Sequence, residues 1–503
     1  MQDLSIEKGR YVLKDYGQYK RLIKFFSSFI IVAVQVLIYY YVWMYYNTEV
    51  VRYPFFRKGN WLMAALYGVL LMFFLRMYGG FKISYLKRGN LIYSQILSVA
   101  IVNVITYLQI ALLDKKFQNP VVFLAMTAAD IVAIVIWAYV FQYVYSRLFP
   151  KKRMLFVYGE RPAFHLIDKI NSREDKYELA GAVSFSCGIE KIMELMKDYD
   201  AMIIGDMPAH ERNLLMKRCF GEGIRTYTVP KISDILLRSS AELNVFDSPL
   251  YLSRNDGLQI EQRIIKRFVD IVFSAVGLVI SSPLFLIFAA AIKMTDGGPV
   301  FYKQERLTQG GQHFWIYKFR TMIQDAEKKS GPRLAGEKDD RILPVGHILR
   351  RTRLDELPQL INILKGEMSL VGPRPERPEL AEEITKEIPE FTYRLKVKAG
   401  LTGYAQIYGK YNTEAYDKLK LDLTYIRNYS LLLDIRLMLM TPKIMLMKES
   451  TEGVSEADMD LAREASRWQE MKARRDKKDV TDTKQTRQGR GNEKNTDSGS
   501  ACL

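Results

Sequence analysis

The chain has 503 residues, with 73 Lys+Arg against 56 Asp+Glu for a formal charge of +17, and it is 49% hydrophobic and 12% aromatic. That length allows about three domains, and the apolar content excludes a disordered or collagen-like chain. Three cysteines (Cys187, Cys219, Cys502) and four histidines (His165, His210, His313, His347) are too few and too scattered for a disulfide framework or a zinc site.

The basic charge does not point to nucleic acid. From Thr451 onward, eleven basic and eleven acidic residues cancel, so the excess lies in the first 450 residues, beside long apolar runs. Basic residues flanking apolar runs read as contacts with anionic lipid headgroups, and no nucleic-acid partner is expected.

Four apolar stretches, Ile23–Tyr46, Trp61–Phe81, Leu91–Leu113 and Val121–Tyr145, approach or exceed the roughly 20 residues that span a bilayer as helix. Tyr39-Tyr40-Tyr41, Tyr45-Tyr46 and Trp61 crowd their ends, as interfacial aromatic belts do. The first is too long for a removable signal peptide and lacks a small-residue cleavage site. Lys8, Arg10, Lys14, Lys20, Arg21 and Lys24 precede it, Arg76, Lys82, Lys87 and Arg88 separate the second and third, and Arg147, Lys151, Lys152 and Arg153 follow the fourth. The positive-inside rule then places both ends of a four-helix transmembrane region, 1–150, in the cytoplasm. Asp130, inside the fourth span, is costly there and is expected to pack against another helix or face a loop.

Residues 151–255 alternate strand patterns (Met154–Tyr158, Glu178–Phe185, Ala201–Gly205, Ile224–Val229) with helical ones (Ala163–Ile170, Ile189–Tyr199, Glu211–Phe220), which predicts a Rossmann-like parallel α/β domain. After its first strand only Gly159 of a dinucleotide fingerprint is present, and Glu160 follows it. A carboxylate there would repel a pyrophosphate, so a structural or self-association role is expected, with a homodimer through this domain.

A fifth apolar run, 268–292, is interrupted by Ser281-Ser282-Pro283. Pro283 cannot donate its helical hydrogen bond to Val279, and serine hydroxyls can compensate. Arg263, Lys266 and Arg267 stand before the run, and Lys293, Lys303, Arg306, Lys318 and Arg320 after it. Both ends therefore look cytoplasmic, which favours a re-entrant helix breaking at Ser282 and Pro283 over a full crossing. Leu431–Met447 is expected along the membrane interface or in a core, and 451–503 as a charged helix fading into a disordered tail.

Chemistry concentrates in Arg350-Arg351-Thr352-Arg353-Leu354-Asp355-Glu356-Leu357-Pro358-Gln359-Leu360. Adjacent carboxylates at the start of a helical pattern lie about 100° apart around the axis, so both can border one cleft while pointing at different groups. The plainer reading makes Asp355 an N-cap and Glu356 a helix-dipole partner. Downstream, Pro373-Arg374-Pro375 holds an arginine in a stiff turn. That suits bidentate phosphate recognition, though it also fits a solvated turn.

Taken together, these strings resemble the bacterial sugar transferases that act on polyprenyl phosphates, the monotopic phosphoglycosyl transferases. The resemblance covers about Arg263 to Lys448. It runs through Lys266-Arg267-Phe268-Val269-Asp270, Gln304-Glu305-Arg306, Tyr317-Lys318-Phe319-Arg320-Thr321-Met322, Leu354–Gln359, Gly372–Pro375 and Gly400-Leu401-Thr402-Gly403-Tyr404-Ala405-Gln406. The whole arrangement is similar to the long members that start exopolysaccharide, capsule or O-antigen assembly. Thr308 stands where the family pattern usually has Gly, and Ala399 where Pro is common.

The resemblance implies an α-rich catalytic domain over 260–450 that carries the re-entrant helix, on the cytoplasmic side of the bacterial inner membrane. It implies transfer of a sugar-1-phosphate from a UDP-sugar to undecaprenyl phosphate with release of UMP. Asp355 would be the nucleophile, Glu356 a Mg²⁺ ligand or proton carrier, and Arg374, with Lys318 and Arg320, the phosphate-binding group. Carboxylates and phosphate oxygens suit magnesium. A membrane-anchored sugar-nucleotide oxidoreductase or dehydratase, and a non-catalytic regulatory module, remain as alternatives.

Overall fold

The computed structural model describes residues 16–51, 53–159, 164–171, 176–245, 247–253, 257–324, 341–409 and 413–445. The segment 451–503, residues 160–163 and the basic residues before Tyr16 lie outside the described residues. The chain divides into two compact units that meet in sequence between Val229 and Pro230.

The first unit begins with four long helices: α1 (Lys20–Glu49), α2 (Arg57–Tyr78), α3 (Arg88–Asp114) and α4 (Val121–Leu148). Gly79 ends α2 in the left-handed conformation, with its N–H on the Leu75 carbonyl, as helix-stop glycines do. The bundle is built inside out. Phe29, Leu37, Val132 and Ile136 face outward, whereas Gln35, Asn103 and Asp130 are buried. The Tyr39 and Tyr67 rings stack at 4.2 Å. Tyr67 donates to Asn103 Oδ1 at 2.9 Å, and Asn103 donates to Asp130 Oδ2 at 3.0 Å. Polar groups that bond helix to helix behind an apolar exterior are the arrangement a bilayer rewards. Asp130 is thus a helix-packing residue.

The same unit continues with β1 (Lys152–Tyr158), α5 (Phe164–Asn171), β2 (Tyr177–Ser184), α6 (Ile189–Met196), β3 (Ala201–Ile204), α7 (Ala209–Gly221) and β4 (Thr226–Thr228). All pairs are parallel, in the order β2-β1-β3-β4. The centre of the sheet is buried on both faces, with Phe156, Val157, Met202 and Ile204 fully enclosed. Burial on both faces is why these strands read as continuous apolar runs. A Cβ on Gly159 would sit 2.8 Å from the Asp206 carbonyl and 3.0 Å from Met207 Cα. Close packing of the loop after β3 therefore accounts for this glycine.

The second unit opens with α8 (Ile232–Arg238), the antiparallel hairpin β5 (Ala241–Val245) and β6 (Ser248–Leu252), and the 37-residue α9 (Ile260–Asp296). With α1–α4, α9 makes five helices among the described residues that are long and apolar enough to cross a membrane. Pro283 interrupts one hydrogen bond of α9 but not the helix. Ser282 Oγ donates to the Val279 carbonyl at 2.8 Å, the acceptor that the proline ring leaves unserved, and Ser281 Oγ donates to Gly277 O at 2.6 Å.

Around α9 fold β7 (Phe301–Leu307), β8 (His313–Phe319), α10 (Pro344–Thr352), α11 (Gln359–Lys365), β9 (Ser369–Val371), α12 (Pro378–Glu387), β10 (Gly400–Thr402), α13 (Tyr404–Tyr408), α14 (Ala415–Arg427) and α15 (Leu431–Met445). β7 and β8 form an antiparallel hairpin, and β9 and β10 pair in parallel. The Lys266–Asp270 string fastens α9 to this fold. Lys266 donates to Asp434 Oδ2 at 2.6 Å, and Arg267 donates to the Ile363 and Leu364 carbonyls at the C-terminal end of α11. Asp270 accepts from Ser369 Oγ and the Leu370 N–H.

Candidate active site

The turn carrying the two carboxylates is aimed by its flanks. Arg353 ends α10 in the left-handed conformation (φ 53°), and Leu354–Glu356 follow as one 3-10 turn before Pro358 caps α11. Leu354 and Leu357 pack into a small core with Ile292, Phe319 and Leu349, which Phe285 and Phe288 of α9 also join. Packing these two partly buried leucines against that core leaves Asp355 and Glu356 on the other side of the turn. Asp355 lies within a 3-10 turn and Pro358 takes the cap of α11, so the N-cap reading does not describe it.

Glu356 is held by two cations. Lys318, from β8, and Arg374 each donate to Glu356 Oε1 at 2.9 Å. Burial alone would raise this carboxyl, but the Arg374 and Lys318 charges and hydrogen bonds outweigh it and hold Glu356 well below the usual carboxylate range. Asp355 goes the other way. Burial and the Glu356 charge push it up to about 6, against the pull of Lys318, Arg350 and Arg374. Two adjacent carboxyls with environments that drive them apart are suited to separate tasks. One stays a fixed anion, and the other is ionised near neutral pH with no cation bonded directly to it among the described residues.

Arg374 is positioned by the strands behind it. The Gly372 N–H donates to Thr402 O and the Gly400 N–H to Pro373 O, drawing the backbones so close that a Cβ on Gly400 would lie 2.1 Å from Gly372 N. Arg306 donates to the Pro375 carbonyl at 3.1 Å and Arg394 to the Arg374 carbonyl at 2.9 Å. The Gln304-Glu305-Arg306 string therefore steadies the Pro-Arg-Pro turn.

Asp355, Glu356, Lys318 and Arg374 come together, and Arg320 does not join them. Its guanidinium forms a two-pronged pair with Asp296 and donates to the Pro299 carbonyl at 2.7 Å, tying the end of α9 to β8. Ser282 and Pro283 lie on α9, just before the phenylalanines that back the turn. Sequence reasoning missed Arg350. It acts electrostatically on Asp355, and its buried Nη1 has no acceptor among the described residues. Its place five residues before Asp355 was visible, but only the path of α10 separates it from Arg351 and Arg353.

Among the described residues no three His, Cys, Asp or Glu side chains converge as a metal cage. Mg²⁺ needs no such cage, since it is commonly held by one or two carboxylates with phosphate oxygens and water. Glu356 Oε1 is occupied by the two cations, which leaves Oε2 and the Asp355 carboxylate as oxygens that fit this ion.

Residues 261–448 match the family model described as bacterial sugar transferase. The UDP-N-acetylgalactosamine-undecaprenyl-phosphate N-acetylgalactosaminephosphotransferase of Aeromonas hydrophila is 36% identical over 262 residues, 49% of this chain and 59% of the relative. The UDP-glucose:undecaprenyl-phosphate glucose-1-phosphate transferase of Caulobacter vibrioides is 40% identical over 183 residues, 35% of this chain and 67% of the relative. The exopolysaccharide production protein ExoY of Sinorhizobium fredii is 37% identical over 186 residues, 34% of this chain and 81% of the relative. The chain thus spans about three-fifths of the Aeromonas protein and more of the other two.

Proposed function

The chain belongs to the bacterial sugar transferase family, and from that premise we propose that it transfers a sugar-1-phosphate from a UDP-sugar to undecaprenyl phosphate, opening a surface-polysaccharide pathway. The observation that carries this reading is the carboxyl pair itself: Glu356 pinned by Lys318 and Arg374 beside an Asp355 that has no such clamp.

In the first step an Asp355 carboxylate oxygen attacks the phosphorus bound to the sugar. The new O–P bond forms as the P–O bond to UMP breaks, and UMP leaves with the electron pair. In the second step a phosphate oxygen of the lipid attacks the same phosphorus and Asp355 is released, giving the lipid diphosphosugar. Dividing the transfer through a covalent carboxyl phosphate replaces one difficult step by two easier ones. Arg374 and Arg350 neutralise the charge gathering on the phosphate oxygens, and Glu356 fixes Arg374 and Lys318 in place. Mg²⁺, held through Glu356 Oε2 and substrate oxygens, would supply further charge neutralisation at the diphosphate.

The same proposal places α1–α4 across the bacterial inner membrane and the Rossmann-like sheet and catalytic unit in the cytoplasm. It takes α9 as a continuous helix bent at Ser282 and Pro283 so that both of its ends stay on the cytoplasmic side, and the α/β domain as a homodimer contact. A site that must meet a soluble nucleotide sugar and a lipid phosphate belongs at such a boundary. The test is UMP release by detergent-purified protein from a panel of UDP-sugars with Mg²⁺, with and without undecaprenyl phosphate. Lipid-dependent release with one sugar, abolished in Asp355→Asn, supports the reading; silence across UDP-sugars and other nucleotide sugars overturns it.

A further inference from the structure

A cleft of about 500 Å³, lined by Arg374 but by neither Asp355 nor Glu356, lies between the β7–β8 connection and the segment 373–399. Its size falls in the roughly 300–1,000 Å³ range of small-molecule sites. Its lining is largely apolar, with Leu307, Pro373, Pro375, Phe391, Val397 and Ala399, and it also includes the charged Glu376 and Arg394. None of the lining residues lies on α9 or α15, the most apolar helices of this unit. A polyprenyl tail would arrive along those helices, so the occupant is a water-soluble one.

We propose that this cleft is the nucleoside subsite of the donor, taking the uridine half of the UDP-sugar while its diphosphate lies against Arg374. The inference rests on the donor class given under Proposed function and adds where that donor sits. Three observations carry it. Arg374 belongs to both places: its guanidinium bonds Glu356, and the residue lines the cleft. Displacement at phosphorus expels the leaving group roughly in line, opposite the nucleophile, so UMP needs room beyond the phosphate-binding arginine.

The chemistry of the walls selects the base over the sugar. A hexose turns hydroxyls in every direction and needs a partner for each, whereas a pyrimidine is flat, apolar on both faces and polar only at its edge. Arg394 supplies such an edge contact. It is 3% exposed, lines the cleft and stacks on Phe391 at 4.8 Å, and its Nε–H has no acceptor among the described residues. A buried guanidinium N–H without an acceptor is costly, and a pyrimidine carbonyl would satisfy it.

Ala381 of α12 lines the cleft and is 9% exposed. Ala381→Trp should raise KM for the UDP-sugar about tenfold or more while leaving KM for undecaprenyl phosphate within about twofold, and should weaken inhibition by UMP in parallel. Glu383→Trp, on the exposed side of the same helix and outside the cleft, serves as the control that leaves both unchanged. Because Ala381→Trp can also disturb folding, photolabelling of the wild-type, full-length protein with 4-thio-UMP gives a second reading. Label on peptides within 307–313 or 373–399, displaced by UMP, supports the subsite. Label elsewhere, or an unchanged donor KM in folded Ala381→Trp, overturns it while wild-type turnover stands. Absence of wild-type turnover with every UDP-sugar would instead remove the donor class, and this inference with it.

Discussion

The Ala399 backbone N–H donates to Thr308 Oγ1 at 3.2 Å, and the same hydroxyl donates to the Glu367 carbonyl at 2.8 Å. Both residues are buried. They are also the two positions where this chain departs from the family pattern, with Thr for Gly and Ala for Pro. In this structure they meet in one hydrogen bond. A proline at 399 has no N–H to satisfy, and a glycine at 308 has no hydroxyl to satisfy it, so an alanine at 399 needs the threonine at 308 where a proline would not.

Thr308→Gly should therefore destabilise the protein by ~1–3 kcal/mol, because it leaves a buried N–H and a buried carbonyl without partners. Ala399→Pro added to Thr308→Gly should recover part of that loss, with a coupling of ~0.5–3 kcal/mol. Thermal unfolding of the four proteins of this cycle in one detergent measures it. Strict additivity would show that the hydrogen bond contributes nothing.

Formation of the aspartyl adduct should depend on pH through Asp355. Its carboxyl is pushed up to about 6 by burial and by the Glu356 charge, and only the ionised form is nucleophilic. Single-turnover UMP release without lipid should be level above that pH and fall about tenfold per unit below it. Glu356→Gln removes the neighbouring anion, so the midpoint should move to lower pH as the rate drops. A midpoint that stayed or moved upward would contradict the assignment of charges.

Lys266 and Asp434 form a buried pair, shared with the Tyr425 hydroxyl. Lys266→Met strands a carboxylate in the core and should cost ~3–5 kcal/mol. Combined with Asp434→Leu, much of that loss should return. Differential scanning fluorimetry distinguishes this from a catalytic role, in which the double variant would be stable and the loss of turnover would persist.

Arg320 and Arg374 should separate cleanly when each is changed to lysine, which loses the planar fork. Arg320→Lys weakens the tie to Asp296 and should lower the melting temperature with little change in KM. Arg374→Lys should leave stability nearly intact but lower kcat/KM for the nucleotide sugar by about tenfold or more. Steady-state kinetics beside melting curves read both, and the opposite pattern would return Arg320 to the phosphate-binding set.

Local sequence determined the elements of this protein and singled out its adjacent carboxyls. Apolar runs of bilayer length became α1–α4 and α9, and the alternation after residue 150 became a parallel sheet, because helix and strand periods are written in consecutive residues. The Asp355-Glu356 pair and the Pro-Arg-Pro turn were also visible, since adjacency and proline stiffness are local properties. Tertiary structure decided which basic residues serve the carboxyls. Lys318 and Arg320 are two apart in sequence, Lys318 on β8 and Arg320 one residue past its end, yet one meets Glu356 and the other meets Asp296. Successive strand positions point to opposite faces, but residues two apart share one, so periodicity could not separate them. What separates them is where the end of α9 lies beside β8. Arg350 and the Thr308–Ala399 bond were hidden for the same reason. Each depends on segments tens of residues apart meeting in space, and a charge or a hydrogen bond acts over a few ångströms whatever the distance along the chain.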